Sequence, residues 1–323
     1  MMYTLAALNK TDTRQNCDAY QDAMISLMKE NHGIVHIDCD LMNCIHTERL
    51  KNAFPDRVFN AGIAEENAMG VASGMAATGL VPFVHTFGVF ASRRILDQAY
   101  LSSGLSCLPV HVIGSDPGIT AAFNGATHMT FEDCGIYMTI PNAVVLDPAD
   151  YAQTFALTKK LADVPELSYM RLIRRTFKPV YEDGSDFEIG KGVLLKKGTD
   201  AVIIASGIMV CNALEAQAKL QGEGISVSVI DMHTWKPLDE ELVLQEAVRT
   251  GCAVTAENHQ IDCGLGSAVA NLLIGKYPVP LERIGNHCRY GKAGPQDLLE
   301  KDYQMTADDI IAAVHKAIVR KQG

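Results

Sequence analysis

No apolar stretch in these 323 residues approaches the roughly 20 needed to span a bilayer, and no basic N-terminal segment leads into an apolar core. Both absences point away from a membrane and towards the cytoplasm. Positive charge is also short. The chain has 28 Lys and Arg against 38 Asp and Glu, a formal net charge of −10, and its basic residues are scattered without stripe or tail. A phosphate backbone has nothing to grip, so nucleic acid is excluded as a natural partner. The nine cysteines are odd in number and include no C-x-x-C pair, Cys39 and Cys44 being the closest two. Reduced, mostly buried thiols are expected in place of a zinc site or disulfides. With 48% hydrophobic and 20% charged residues, the composition is globular and large enough for two domains with separate cores.

From residue 12 onward, segments of helical and strand period alternate, the pattern of a mostly parallel sheet with helices on its faces. The first half predicts strands at 33–38, 81–85, 109–113, 143–146 and 168–172, with helices at 12–31, 64–78, 90–103 and 150–162. The run from Arg175 to Lys191 brings Lys178-Pro179 and Glu182-Asp183-Gly184-Ser185-Asp186, turn formers and charge without an apolar period. It divides the chain into a domain at 1–176, a linker at 177–190 and a smaller α/β domain at 191–323. The second domain predicts strands at 201–205, 225–230 and 253–256, helices at 209–221 and 239–249, one opening near Gly264, and a last helix capped by Thr306.

Two features suggest chemistry. Glu65 and Glu66 enter a helix after a turn at Gly62, a placement that the helix dipole alone would explain. Phe87 and Phe90 follow the third strand three residues apart and so share a face. In a doubly wound sheet, ligands bind at the carboxyl ends of strands, where Glu65 and this aromatic pair would line one crevice.

The block Gly62-Ile63-Ala64-Glu65-Glu66-Asn67-Ala68-Met69-Gly70 is followed by Thr86-Phe87-Gly88-Val89-Phe90, by Gly125-Ala126-Thr127-His128 and by Ile140-Pro141-Asn142. In this order and spacing the blocks resemble the pyrimidine-binding domain of the transketolase family. Ile230-Asp231-Met232-His233-Thr234-Trp235 and Ala256-Glu257-Asn258-His259 resemble that family's C-terminal domain. The resemblance covers nearly the whole chain and implies a thiamine-diphosphate-binding doubly wound sheet followed by the smaller domain. Glu65 then matches the glutamate that hydrogen-bonds N1′ of the cofactor's aminopyrimidine, favouring the imino tautomer that takes the thiazolium C2 proton. Its neighbour Glu66 points about 100° away around the helix and cannot replace it. Phe87 and Phe90 match aromatics that pack against the pyrimidine, and Asp40 matches a position near the thiazolium. His128 matches a substrate-facing histidine, Asn124 a residue that reads a sugar hydroxyl, and Arg14 with Arg174 the holders of a substrate phosphate.

Three positions depart from the family pattern. Asn124 stands in place of an aspartate, Asp116 in place of a phosphate-binding histidine, and Arg93 in place of a small or aromatic residue. The family also binds magnesium and the diphosphate through a Gly-Asp-Gly motif, which this sequence lacks. The resemblance therefore implies the C-terminal subunit of a split transketolase. Magnesium would be held by an N-terminal partner subunit in an α2β2 assembly, and sugars or sugar phosphates would be the substrates. A β subunit of a 2-oxo-acid dehydrogenase decarboxylase shares the plan but is disfavoured by His128. A noncatalytic scaffold would be expected to lose Glu65 or the aromatics.

Overall fold

Strand and helix alternate as expected, and the strands gather into two sheets. The computed structural model describes residues 2–7 and 10–323. In the first half the elements run α1 (Asn16–Glu30), β1 (Ile34–Asp38), α2 (Glu48–Ala53), β2 (Val58–Asn60), α3 (Glu65–Ala77), β3 (Val81–Phe87), α4 (Gly88–Arg93), α5 (Leu96–Gln98), β4 (His111–Ser115), α6 (Asp133–Met138), β5 (Val144–Leu146), α7 (Tyr151–Leu161) and β6 (Ser168–Leu172). The second half adds β7 (Val193–Lys196), β8 (Ala201–Ala205), α8 (Met209–Gly222), β9 (Val227–Asp231), β10 (Thr234–Lys236), α9 (Glu240–Thr250), β11 (Ala253–Gln260), α10 (Leu265–Lys276), β12 (Leu281–Asn286), α11 (Gln296–Asp302) and α12 (Ala307–Gln322).

The first sheet has the order β10-β5-β6-β4-β3-β1-β2, and β1 to β6 pair in parallel. Its strands are buried on both faces, which is why β1, β4 and β6 read as continuous runs without alternation. The second sheet, β12-β11-β8-β9-β7, is parallel except for β7. Residues 173–192 between the sheets hold no helix and only a bridge from Tyr181 to Leu5.

The sheets do not respect the linker. β10 lies beyond it in sequence, yet pairs antiparallel with β5 at the edge of the first sheet and carries the buried Trp235. The interface is also polar. Arg171 on β6 binds both oxygens of Asp133 at 2.6 and 2.9 Å and donates to the carbonyl of Asn258 at 3.1 Å, with Arg171 and Asp133 essentially sealed from solvent.

Helix boundaries follow local chemistry. A capping box between Gln15 and Asp18 starts α1 four residues later than the sequence pattern suggested. The expected helix at 90–103 instead breaks where fully buried Ile95 leaves helical angles (φ −100°, ψ 7°), and it continues through a wider turn at Ala99–Leu105. Thr306 and Asp309 form the reciprocal cap that opens α12.

Candidate active site

The sheet order sets four strand ends side by side, β6, β4, β3 and β1, and the chain leaving each one carries a polar or aromatic group. Arg174 follows β6, Asp116 follows β4, Phe87 ends β3 and Asp40 follows β1. Glu65 begins α3 after β2. The row lies at the carboxyl edge of a parallel sheet, where the loops of such folds form binding sites.

The side chains join into a chain of contacts. Glu65 is 2% exposed and its two carboxylate oxygens accept from one nitrogen of Arg94, Nη1, at 2.8 Å each. Thr86 approaches the same carboxylate at 3.5 Å. The Arg94 guanidinium lies 4.1 Å from the centre of the Phe90 ring. Edge-on contacts place His128 5.5 Å from Phe90 and 5.7 Å from Phe87, and Arg174 sits 5.2 Å from the Phe87 ring. Arg174 in turn donates through Nε to Asp116 at 2.5 Å. The site thus runs from a buried carboxylate, across two aromatic rings and an imidazole, to an ion-paired arginine. Glu66 is exposed, so the two adjacent glutamates do part as helix geometry demands.

The other expected residues lie at the margin or elsewhere. Asp40 is exposed in the left-handed region (φ 64°), its backbone N–H donating to Asn60 Oδ1 at 3.0 Å. Asn124 is exposed at the end of the short 3₁₀ segment Gly118–Asn124 and, among the described residues, bonds to no member of the cluster. Among the described residues, Arg14 and Arg174 share no hydrogen bond and line different hollows. The donors of Arg14 go to Asp12 at 2.7 to 3.2 Å and to Asp183 at 2.8 and 2.9 Å, and its plane covers Tyr151 at 3.8 Å. It lines a separate hollow of about 740 Å³ beside α1 and α7. Arg93 pairs with Glu132 and is half exposed.

Sequence reasoning missed Arg94, although it stands four residues after Phe90 and so shares that residue's helical face. It also missed the support beneath the row. Asp38 on β1 accepts from His85 Nδ1 at 2.9 Å, and His85 Nε2 meets Ser115 Oγ at 3.0 Å, joining β1, β3 and β4. Burial opposes ionisation of Asp38, but His85 bonded to it and His36 3.8 Å away hold its carboxyl well below the usual range. The same carboxylate accepts from the Leu41 N–H at 2.6 Å and the Thr47 hydroxyl at 3.0 Å, which fixes the loop after β1. Asp38, His85 and Ser115 are aligned like a hydrolase triad, but all three are sealed from solvent, so the alignment holds strands and loop together.

The buried carboxylate beside a flat aromatic face fits a planar nitrogen heterocycle that shares a proton with it. A divalent metal has a poorer claim. Among the described residues, Cys17, Asp18 and His46 come within 4.8 Å of one another. Burial pushes the Cys17 thiol up to about 12, and a thiol with an imidazole is not the oxygen set magnesium takes.

Comparison with known proteins places the two sheets in a family. The family described as transketolase, pyrimidine binding domain, matches residues 12–179, and transketolase, C-terminal domain, matches residues 190–310. The two α/β sheets are therefore those of a transketolase-type transferase, and the chain belongs to the transketolase family. It is 42% identical over 304 residues to a 6-deoxy-6-sulfo-D-fructose transketolase subunit of Clostridium sp. (strain MSTE9), with 94% of both proteins covered. It is 33% identical over 268 residues to an apulose-4-phosphate transketolase subunit of Phocaeicola vulgatus, covering 83% of this chain and 86% of that protein. A solved structure described as a split gene transketolase, inactive beta4 tetramer, superimposes with a TM-score of 0.90 at 41% identity, over 95% of this chain and 99% of that one. Within the family, this chain is a C-terminal section, the subunit of a split transketolase.

Proposed function

We propose that the chain supplies the pyrimidine half of a two-chain transketolase in the cytoplasm, which moves a two-carbon ketol unit from a ketose to an aldose. The observation that carries this is Glu65, a carboxylate almost closed to solvent and joined through Arg94 to the Phe90 ring, beside which Phe87 and His128 stand. Thiamine diphosphate supplies the carbanion chemistry when bound. Glu65 would hold the proton shared with the pyrimidine, and Phe87 and Phe90 would exclude water and present flat faces. His128, with Nδ1 2.8 Å from the Thr127 hydroxyl, would hydrogen-bond the oxygens of the sugar. Asp40 and Asn124 would act from the rim, near the thiazolium and a sugar hydroxyl respectively.

The diphosphate and Mg²⁺ would be held by an N-terminal subunit, in an α2β2 complex. Exposed apolar side chains support a docking surface for it: Ile63 just before α3, Val71 in its middle, and Leu101 and Leu105 on the segment packed against it. A solved relative described as an inactive beta4 tetramer is consistent with a chain that lacks half of its site.

Arg174 would take the anionic end of the substrate. Relatives are named for a sulfonated sugar and for a sugar phosphate. Asp116 already neutralises Arg174, which favours a singly charged sulfonate over a phosphate dianion. Arg14 would join it only if released from Asp12 and Asp183.

The test is to assemble the chain with its N-terminal subunit, thiamine diphosphate and magnesium, and to assay ketol transfer from sulfonated, phosphorylated and neutral ketoses. Transfer from at least one of them is expected. An assembled complex that decarboxylates 2-oxo acids and transfers no ketol unit would replace this reading with the dehydrogenase one.

A further inference from the structure

The pyrimidine pocket already holds a flat, nitrogen-bearing group from the chain itself. A guanidinium is planar, presents N–H donors at its edge and stacks on aromatic rings through its face. Arg94 uses both properties at once. Its Nη1 reaches both oxygens of Glu65 at 2.8 Å, and its plane centre lies 4.1 Å from that of Phe90. An aminopyrimidine bound to Glu65 and packed on Phe90 would need the same carboxylate edge and the same ring face, so the two occupants exclude each other.

There is a physical reason for such an occupant. Without Arg94, Glu65 would be almost fully buried with, among the described residues, only the Thr86 hydroxyl at 3.5 Å, and an uncompensated buried carboxylate is costly. Arg94 supplies the missing counter-charge. It is also free to leave, because its side chain is 39% exposed whereas that of Glu65 is 3% exposed. Its neighbour Arg93 is held by Glu132 and does not compete for the place.

We propose that Arg94 is an internal stand-in for the cofactor's aminopyrimidine, closing the pocket of the cofactor-free chain and swinging to solvent when the cofactor enters. The proposal rests on the assignment of Glu65 and Phe90 to the pyrimidine. The pocket then carries a built-in competitor, and apparent affinity falls by the fraction of molecules in which Arg94 is seated.

The experiment uses the assembled two-chain complex and measures thiamine diphosphate binding by calorimetry with magnesium, together with the rise in Tm on adding cofactor. Arg94→Met keeps the length of the side chain and removes its donors. It should bind cofactor about tenfold more tightly, as expected for removing a conformer seated about nine times in ten. It should also show a lower cofactor-free Tm and a larger rise on binding. Affinity equal to the parent's or weaker would overturn the proposal, because Arg94 would then be a support and not a competitor. Should Arg94→Met fail to assemble, Arg94→Gln is judged by the same two criteria, since a neutral amide gives Glu65 no counter-charge. Glu65→Gln separates the two levels. If C2 deuterium exchange in that variant equals the parent's, the pyrimidine assignment fails and the stand-in role falls with it. If exchange is lost while Arg94→Met binds no more tightly, only the stand-in role is rejected.

Discussion

Replacing Glu65 by glutamine changes one acceptor oxygen into an amide and leaves size, burial and helix position as they were. The variant should therefore fold and assemble. One carbonyl oxygen remains to accept from Arg94, and the side chain still enters α3 beside β3. What disappears is the ability to share a proton, at a position 2% exposed where water cannot enter to substitute. Lost general acid–base function of this kind lowers rates by roughly 10²–10⁴, or about 3–5 kcal/mol of barrier at 1.36 kcal/mol per tenfold. Deuterium exchange at thiazolium C2 in the assembled complex reads the step directly and does not depend on which sugar is the substrate. Glu66→Gln is the internal control, because Glu66 is exposed one position further along the same helix. Its exchange should stay within about twofold of the parent's, as for other surface changes away from a site. Normal exchange in the Glu65 variant, or a greater loss in the Glu66 variant, would refute the register on which the site is built.

The isolated chain should bind thiamine diphosphate weakly or not at all, because no diphosphate-and-magnesium half is provided; submicromolar affinity by calorimetry would reject the two-chain site. Arg171→Met should cost about 3–5 kcal/mol in urea unfolding, since it leaves Asp133 without its counter-charge in a sealed interface; a loss below about 1 kcal/mol would mean the pair is dispensable. His111 is fully buried with Nδ1 2.8 Å from the Ser168 hydroxyl and Nε2 without a partner among the described residues, and burial pushes its pKa down to about 3. The unfolded chain then takes up this proton first, so the stability His111 contributes is complete above pH 6.5 and is lost as pH falls towards 3. As pH falls across that window, His111→Leu should gain on the parent by about 1.4 kcal/mol per pH unit, and parallel stability curves would refute it.

The parts of the site that follow a helical or strand period were readable from the residues. Glu65 and Glu66 part because adjacent positions on a helix diverge, and Phe87 and Phe90 meet with ring centres 6.3 Å apart across the junction where β3 ends and α4 begins. The parts that depend on which strand lies beside which were not. Asp38, His85 and Ser115 come from three different strands and meet only through the order β4-β3-β1, which no local pattern encodes. Resemblance assigns Arg14 to a substrate anion, and no local pattern shows that Asp183, 169 residues away, bonds to it. Arg94 was within reach of the argument, since the spacing that paired Phe87 with Phe90 also brings in the position four further on. β10 escaped because its three residues are too few to show a period.

That short strand has a consequence for how the gene product can be divided. β10 comes from the second half of the chain but forms the outer edge of the first sheet, covering the hydrogen-bonding groups of β5. Cutting within residues 177–190 would follow the linker and still uncover that edge, with the Trp235 surface gone and a ready template for pairing with other chains. An excised first half should accumulate as aggregates, whereas one that carries residues 231–238 on a short tether should stay dispersed. The separable unit, for recombination as for expression, is the whole pair of domains.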